Sequence, residues 1–284
     1  MKGLHTLIPR NKITDPLFKA VRSHFGMVSD AMPASYYLSL VEGRPPSSRR
    51  GRMVFFAAMP KSGGSFMTYK LSEYLGWSRE QVAERRGCGE KDISLPRMLD
   101  LLQKNVVVHQ HVLGTEGNAH YIFKYADLVI FQTRNIYETL LSFRRHLLGE
   151  SLYWQFMTFG PSFRSLSPER QLNQVVDLVT PWLLNFYVSW ECHLRNHPPG
   201  VRLLHLDYHE VAESESDTLK RIICEVEGTC DEKRLSATLD QKIGKYRKNE
   251  NDWITPVDFT MEQRERVRML ASYFPETDFS PIGI

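Results

Sequence analysis

Apolar residues along the chain fall into two patterns, short unbroken runs and longer stretches in which they recur every three or four positions. Residues 54–58 form the first run; 105–109 (NVVVH), 127–132 (DLVIFQ) and 201–206 (VRLLHL) repeat it. Runs this short, rich in β-branched residues and bounded by polar ones, read as strands buried on both faces. Helical spacing covers 136–148, 168–195, 218–227 and 261–273. Another amphipathic stretch follows the first strand, with Phe66, Tyr69, Leu71, Tyr74 and Leu75 as its expected inward positions. Buried strands alternating with helices predict an α/β domain, a central parallel β-sheet with helices on both faces. Ligand-binding loops then belong at the carboxyl ends of the strands.

Residues 1–52 break this pattern. They carry Pro9, Pro16, Pro33, Pro45 and Pro46 and end in the basic stretch Gly43-Arg44-Pro45-Pro46-Ser47-Ser48-Arg49-Arg50-Gly51-Arg52. They are expected to be an arm and linker packed on one domain spanning 53–284. The net charge of +3 is too small to argue for nucleic acid or an anionic membrane as partner. No apolar run reaches the ~18 residues of a membrane span, and the first residues lack the apolar core of a secretory signal. Cys88, Cys192, Cys224 and Cys230 share no C-x-x-C spacing. The expectation is a cytoplasmic protein with reduced thiols and no metal site.

The chemistry concentrates between strand and helix at Pro60-Lys61-Ser62-Gly63-Gly64-Ser65-Phe66. A glycine loop opening a helix presents backbone N–H groups and the positive helix end to an anion. Lys61 adds a point charge, and Ser62 and Ser65 add hydroxyls. The loop is not that of a P-loop NTPase, which ends in Gly-Lys-Ser/Thr; here the lysine precedes the glycines, and the usual magnesium hydroxyl is out of place. Arg134 ends the third run, and Ser142 lies about two helical turns further on; a guanidinium and a hydroxyl so spaced can share one phosphate. The stretch Gly244-Lys245-Tyr246-Arg247-Lys248-Asn249 reads as a cationic loop able to cover a phosphate.

These three elements, in this order, resemble the sulfotransferases that use 3′-phosphoadenosine-5′-phosphosulfate (PAPS). The resemblance covers about residues 53–275. The first element is similar to the family's PKSGTTW loop, the second to its Arg-to-Ser 3′-phosphate element, and Arg247-Lys248-Asn249 with Asp252-Trp253 to its terminal RKG…DW loop. The resemblance implies that Lys61 contacts the 5′-phosphate and steadies the bridging oxygen. Backbone N–H groups of Ser62, Gly63, Gly64, Ser65 and Phe66 would cradle that phosphate. Phe66 would stack on adenine, with Tyr208 nearby, and Arg134, Ser142, Arg247 and Lys248 would hold the 3′-phosphate.

The second run ends in His109-Gln110-His111, where the family often reads Lys-Thr-His. His111 aligns with the family's catalytic base, and an ordinary imidazole pKa of about 6.5 suits proton abstraction at neutral pH. Three departures stand out: Gly64 replaces a hydroxyl residue, Asn249 replaces a glycine, and His109 replaces the lysine and is counted with His111 and Lys61 as a candidate catalytic residue, its own role unassigned. The expected activity is sulfuryl transfer from PAPS to a hydroxyl, less favourably an amine, of a small-molecule or glycan acceptor, without a metal and with PAP (adenosine 3′,5′-bisphosphate) as product. The alternatives are a nucleotide kinase or NTPase with a degenerate P-loop and a non-catalytic PAP-binding protein of the same fold. Residues 143–190, with Tyr153, Trp154, Phe156, Phe159, Phe163, Trp182 and Trp190 beside Arg144, Arg145, His146 and Arg164, are expected to form much of the acceptor pocket, although 175–190 is apolar enough to be partly buried helix.

Overall fold

The computed structural model describes residues 51–83, 92–154, 157–241 and 254–284. Its strands are β1 (Met53–Ala58), β2 (Ser78–Glu80), β3 (Val106–Gln110), β4 (Leu128–Thr133), the hairpin β5 (Tyr153–Trp154) and β6 (Met157–Thr158), and β7 (Leu203–Asp207). Five of them form one parallel sheet in the order β2-β3-β1-β4-β7. The four apolar runs of the sequence are the three inner strands β3, β1 and β4 and the edge strand β7. The fifth, β2, is a three-residue edge (SRE) with no apolar signal to betray it.

The helices are α1 (Gly64–Leu75), α2 (Leu95–Leu101), α3 (Glu116–Tyr125), α4 (Ile136–Gly149), α5 (Pro168–Arg195), α6 (Tyr208–Glu213), α7 (Glu215–Glu227), α8 (Glu232–Asp240) and α9 (Met261–Ala271). Strand side chains alternate between two cores. Met53, Phe55, Ala57, Val129 and Phe131 pack with residues of α4, α5 and α9 on one face. Val54, Phe56, Leu128 and Ile130 pack with α1, α7 and α8 on the other. The result is a single α/β domain whose central parallel sheet is covered on both faces, as the sequence pattern requires.

The longest helix, α5, begins where its signals place it. Ser167 caps it by accepting from the Arg170 N–H, and Pro168 takes the first turn, where a missing N–H costs nothing. Its apolar face is core: Trp190 is fully buried, and its indole donates to the Val112 carbonyl at 2.7 Å. Among the described residues no helix is long and apolar enough to cross a membrane.

In α1 the buried stripe is Met67, Leu71 and Tyr74; Phe66, Tyr69 and Leu75 are only partly covered, so the expected inward face is rotated. The cause is a second packing partner. Lys70 turns inward, 2% exposed, and its ammonium donates to the carbonyls of Thr238, Leu239 and Gln241, each at 2.8 Å. These are the orphan carbonyls at the end of α8, where a cation is also favoured by the helix dipole. Residues 1–50 lie outside the described residues. Gly51 and Arg52 already belong to the fold: the Gly51 N–H donates to the Leu102 carbonyl at 3.0 Å, and Arg52 pairs with Glu227 at 3.2 Å.

Lys70→Met keeps the apolar stem and strands three carbonyls. It is expected to lower unfolding free energy by about 2–4 kcal/mol in urea titrations. Lys233→Met, on the exposed side of α8, is expected to change it by less than about 0.5 kcal/mol. Equal midpoints for the two variants would refute the role given to Lys70.

Candidate functional site

The site is built at the carboxyl end of β1. The chain leaves Ala58 and turns sharply, with both donors of Ser62 directed to the Met59 carbonyl, the backbone N–H at 3.1 Å and the hydroxyl at 2.6 Å. Ser62 is fully buried, so its hydroxyl braces the turn; this differs from the expectation that it faces a ligand. Gln132, at the end of β4, donates to the Ser62 carbonyl at 2.7 Å. Lys61 and Gly63 both take positive φ, 66° and 84°. A left-handed lysine costs about 1–2 kcal/mol, which the surrounding bonds must offset. Gly63 suits its place for a second reason: a Cβ there would lie 3.1 Å from the Tyr208 ring.

This turn delivers the start of α1 with Gly63 as an N-cap that has no side chain to offer. The N–H groups of Phe66 and Met67 both bond to the Gly63 carbonyl, so Phe66 is not part of an open cradle. The N–H groups of Gly63, Gly64 and Ser65 have no hydrogen-bond partner among the described residues. Three adjacent donors at the positive end of a twelve-residue helix are an anion-binding arrangement.

Charged side chains flank it. Arg134, just past β4, donates to the Lys61 carbonyl at 3.0 Å and to Glu138 at 3.0 Å, and its guanidinium lies 3.9 Å from the centre of the Tyr208 ring. Tyr208, first residue of α6, thus joins Arg134 to the loop at Gly63. His111 follows β3, and its Nδ1–H donates to the Ala58 carbonyl at 2.7 Å, which leaves the Nε2 of the neutral ring as the basic nitrogen. His109 lies two residues earlier, its Nδ1 3.4 Å from the Ser65 hydroxyl and its ring edge-on to His111 at 5.1 Å. Burial, helped by His111 and Arg79, holds His109 well below the ordinary imidazole range, so it is neutral at physiological pH.

Trp154, from β5, closes the other side. Its ring lies 6.0 Å from the Lys61 ammonium, 6.0 Å from the His111 ring and 4.7 Å from the His146 ring. His146 and Glu150, one turn apart on α4 and just beyond it, are 3.2 Å apart. Burial lowers the Lys61 pKa; Arg134 and Arg145 push the same way, and Glu150 partly offsets them. An ammonium held below its ordinary value beside open N–H donors gains from an arriving anion.

Other expected residues are placed as follows. Ser142 is half-buried on α4, eight residues beyond Arg134, and Phe66 is half-buried on α1 with the Lys70 ammonium 5.8 Å from its ring. Arg247, Lys248 and Asn249 lie outside the described residues, as does Phe156. Three of the expected aromatic acceptor residues are core instead: Phe159, Phe163 and Trp190 are at most 3% exposed, whereas Trp154 and Trp182 are half-buried and Tyr153 is exposed; Arg144 is buried against Gln171 and the Thr255 carbonyl. Gln132 and Glu150 were not singled out from sequence. Gln132 had a usable signal, a polar residue inside the last two positions of an apolar run.

Among the described residues there is no group of three or more metal-ligating side chains. The arrangement suits an anionic group held by N–H donors and two cations, next to an imidazole with a basic nitrogen. No family model matches this sequence, and a comparison with characterised protein sequences finds no match. The fold does have a known likeness. A mouse sulfotransferase, SULT7A1, solved in complex with PAP, superposes with a TM-score of 0.52 over 78% of this chain and 83% of its own, at 13% identity. The chain has the sulfotransferase fold.

The strap from β4 to the loop can be tested alone. Gln132→Leu leaves the buried Ser62 carbonyl without its donor and is expected to lower stability by about 1–3 kcal/mol in thermal or urea unfolding. An unchanged midpoint would mean the loop holds its shape without β4.

Proposed function

We propose that the protein is a sulfotransferase that moves a sulfuryl group from PAPS to the hydroxyl of a small acceptor. The observation that carries this reading is the convergence of separate sequence elements on one turn: Arg134 bonded to the Lys61 carbonyl at 3.0 Å and stacked on Tyr208, beside the open N–H groups of Gly63, Gly64 and Ser65. The fold likeness to a PAP-bound sulfotransferase supports it.

PAPS supplies an activated sulfuryl group with PAP as leaving group. In this reading the loop N–H groups and Lys61 hold the 5′-phosphate and meet the negative charge that grows there, where preorganised donors act most strongly. Arg134, stacked on Tyr208, holds the 3′-phosphate, with Ser142 and the segment around Arg247, Lys248 and Asn249 completing that contact. His111 takes the acceptor proton at Nε2, and its Nδ1–H bond to the Ala58 carbonyl fixes the required tautomer. Trp154 and His146 bound the side from which an acceptor reaches His111 and Lys61. No part of this scheme uses a metal.

Calorimetric titration is expected to show metal-independent binding of PAP, and Arg134→Ala is expected to weaken it about ten- to a hundredfold, the worth of one or two charge-assisted hydrogen bonds. Preference for magnesium–ATP over PAP would overturn the reading in favour of a kinase. His111→Ala is expected to leave PAP affinity within about threefold and to depress PAP release from PAPS in the presence of phenol, sugar and alcohol acceptors by about two orders of magnitude or more. Normal turnover would remove His111 as the base.

Lys61 adds a pH signature. Its pKa is lowered by burial in the free protein and would be raised by a phosphate dianion, so binding takes up a proton once pH exceeds the lowered value. Affinity for PAP is then full while Lys61 is protonated in the free protein and falls as pH rises through its lowered value towards the ordinary lysine value of 10.5. Titrations in two buffers of different ionisation enthalpy should register the uptake, and Lys61→Met should abolish it.

A further inference from the structure

We propose that the Nε2–H of His109 is a fixed hydrogen-bond donor to the 5′-phosphate end of the nucleotide, standing in for a side chain that the loop lacks at Gly64. This rests on the sulfotransferase reading above and gives a role to a residue which that reading leaves without one.

The first ground is steric. His109 is paired in register with Phe56 and so faces the α1 side of the sheet. A Cβ added to Gly64 would lie 2.7 Å from His109 Nε2 and 2.6 Å from the Ala58 Cβ. The imidazole therefore fills the space in which a side chain at 64 would begin, and glycine at 64 and histidine at 109 are two halves of one arrangement.

The second ground is an orphan. His109 is 8% exposed, and its Nε2 is buried with no hydrogen-bond partner among the described residues. Leaving such a group unsatisfied is unfavourable, so a buried lone donor calls for a ligand or a function. It lies at the N-terminus of α1, beside the unpartnered N–H groups of Gly63, Gly64 and Ser65. The proposal seats an oxyanion on those donors, with Nε2 turned to it from the side of Gly64.

The third ground is the tautomer. A neutral imidazole carries one N–H. The Ser65 hydroxyl, 3.4 Å from Nδ1, can donate to that nitrogen, and the proposal takes the tautomer that goes with it, with the hydrogen on Nε2. Burial keeps the ring neutral, so the donor acts without adding a buried charge.

The test compares the full-length protein with His109→Gln and His109→Phe by titration with PAP, adenosine 5′-monophosphate and adenosine 3′-monophosphate. A glutamine amide can place its nitrogen near the Nε2 position, whereas phenylalanine keeps the ring and loses the donor. His109→Phe is expected to weaken PAP and the 5′-monophosphate about tenfold while leaving the 3′-monophosphate unchanged, and His109→Gln to stay within about threefold of the parent throughout. Equal losses for both monophosphates, or an unchanged affinity in His109→Phe, would overturn the proposal while PAP binding by the parent still supports the sulfotransferase reading. Failure of the parent to bind PAP would overturn both. Should His109→Phe not fold, imidazole nitrogen NMR of the parent decides: a protonated His109 Nε2 that shifts on PAP addition supports the donor role, and an unprotonated Nε2 refutes it.

Discussion

The Met59 carbonyl holds the site together by accepting two donors from Ser62, three residues on. That pair of bonds closes a turn tight enough to force Lys61 and Gly63 into left-handed backbone. Gln132 and Arg134 then take the two outward carbonyls of the turn, those of Ser62 and Lys61. The strain of the turn is thus balanced by bonds from β4 and its following loop. Without that balance, the start of α1 would not point its N–H groups at one place. The same bond that stabilises Lys61's backbone brings the Arg134 guanidinium to the turn, so the two cations are positioned together.

Two imidazoles stand edge-on to one another in this site, and the proposal gives them opposite hydrogen placements. His111 spends its Nδ1–H on the Ala58 carbonyl and keeps a basic Nε2. His109 can receive the Ser65 hydroxyl at Nδ1 and carry its hydrogen on Nε2. Neighbouring groups, not the rings, set which is acceptor and which is donor. Burial of His109 also serves His111. A charged ring 5.1 Å away would disfavour protonation of a base, and a neutral one does so far less.

Much of the architecture could be read from sequence because its signals are one-dimensional. A buried parallel strand must be apolar at every position, and α5 carries a cap, a proline and a continuous periodicity. The turn was legible for the same reason, since glycines and a lysine between strand and helix have few uses. What escaped the sequence depends on partners far along the chain. Lys70 reads as an exposed helical lysine until the end of α8, some 170 residues later, supplies its carbonyls. Aromatics at 159, 163 and 190 satisfy a pocket and a core equally well in sequence, and only the tertiary packing assigns them to the core. His109 was legible as a departure from the family pattern. Its relation to Gly64 is a distance, and no spacing in the chain expresses it.

The contrast between Lys70 and Lys61 shows how the fold separates structure from chemistry. Both are on or beside α1, and both meet helix ends. Lys70 meets the carbonyl end of α8 and is saturated by three acceptors at 2.8 Å, so it has nothing left to offer a ligand. Lys61 sits before the amide end of α1, among cations and an indole, with burial pulling its pKa down. A protein that only needed stability would not bury an ammonium near Arg134 and Arg145 with Glu150 as a partial offset, nor leave a buried imidazole nitrogen without a partner among the described residues. Each of these groups is unfavourable alone, and all are relieved by the same thing, an anion at the start of α1. That shared remedy is the physical ground for the binding site proposed at the carboxyl end of β1, and it is independent of any likeness to another protein.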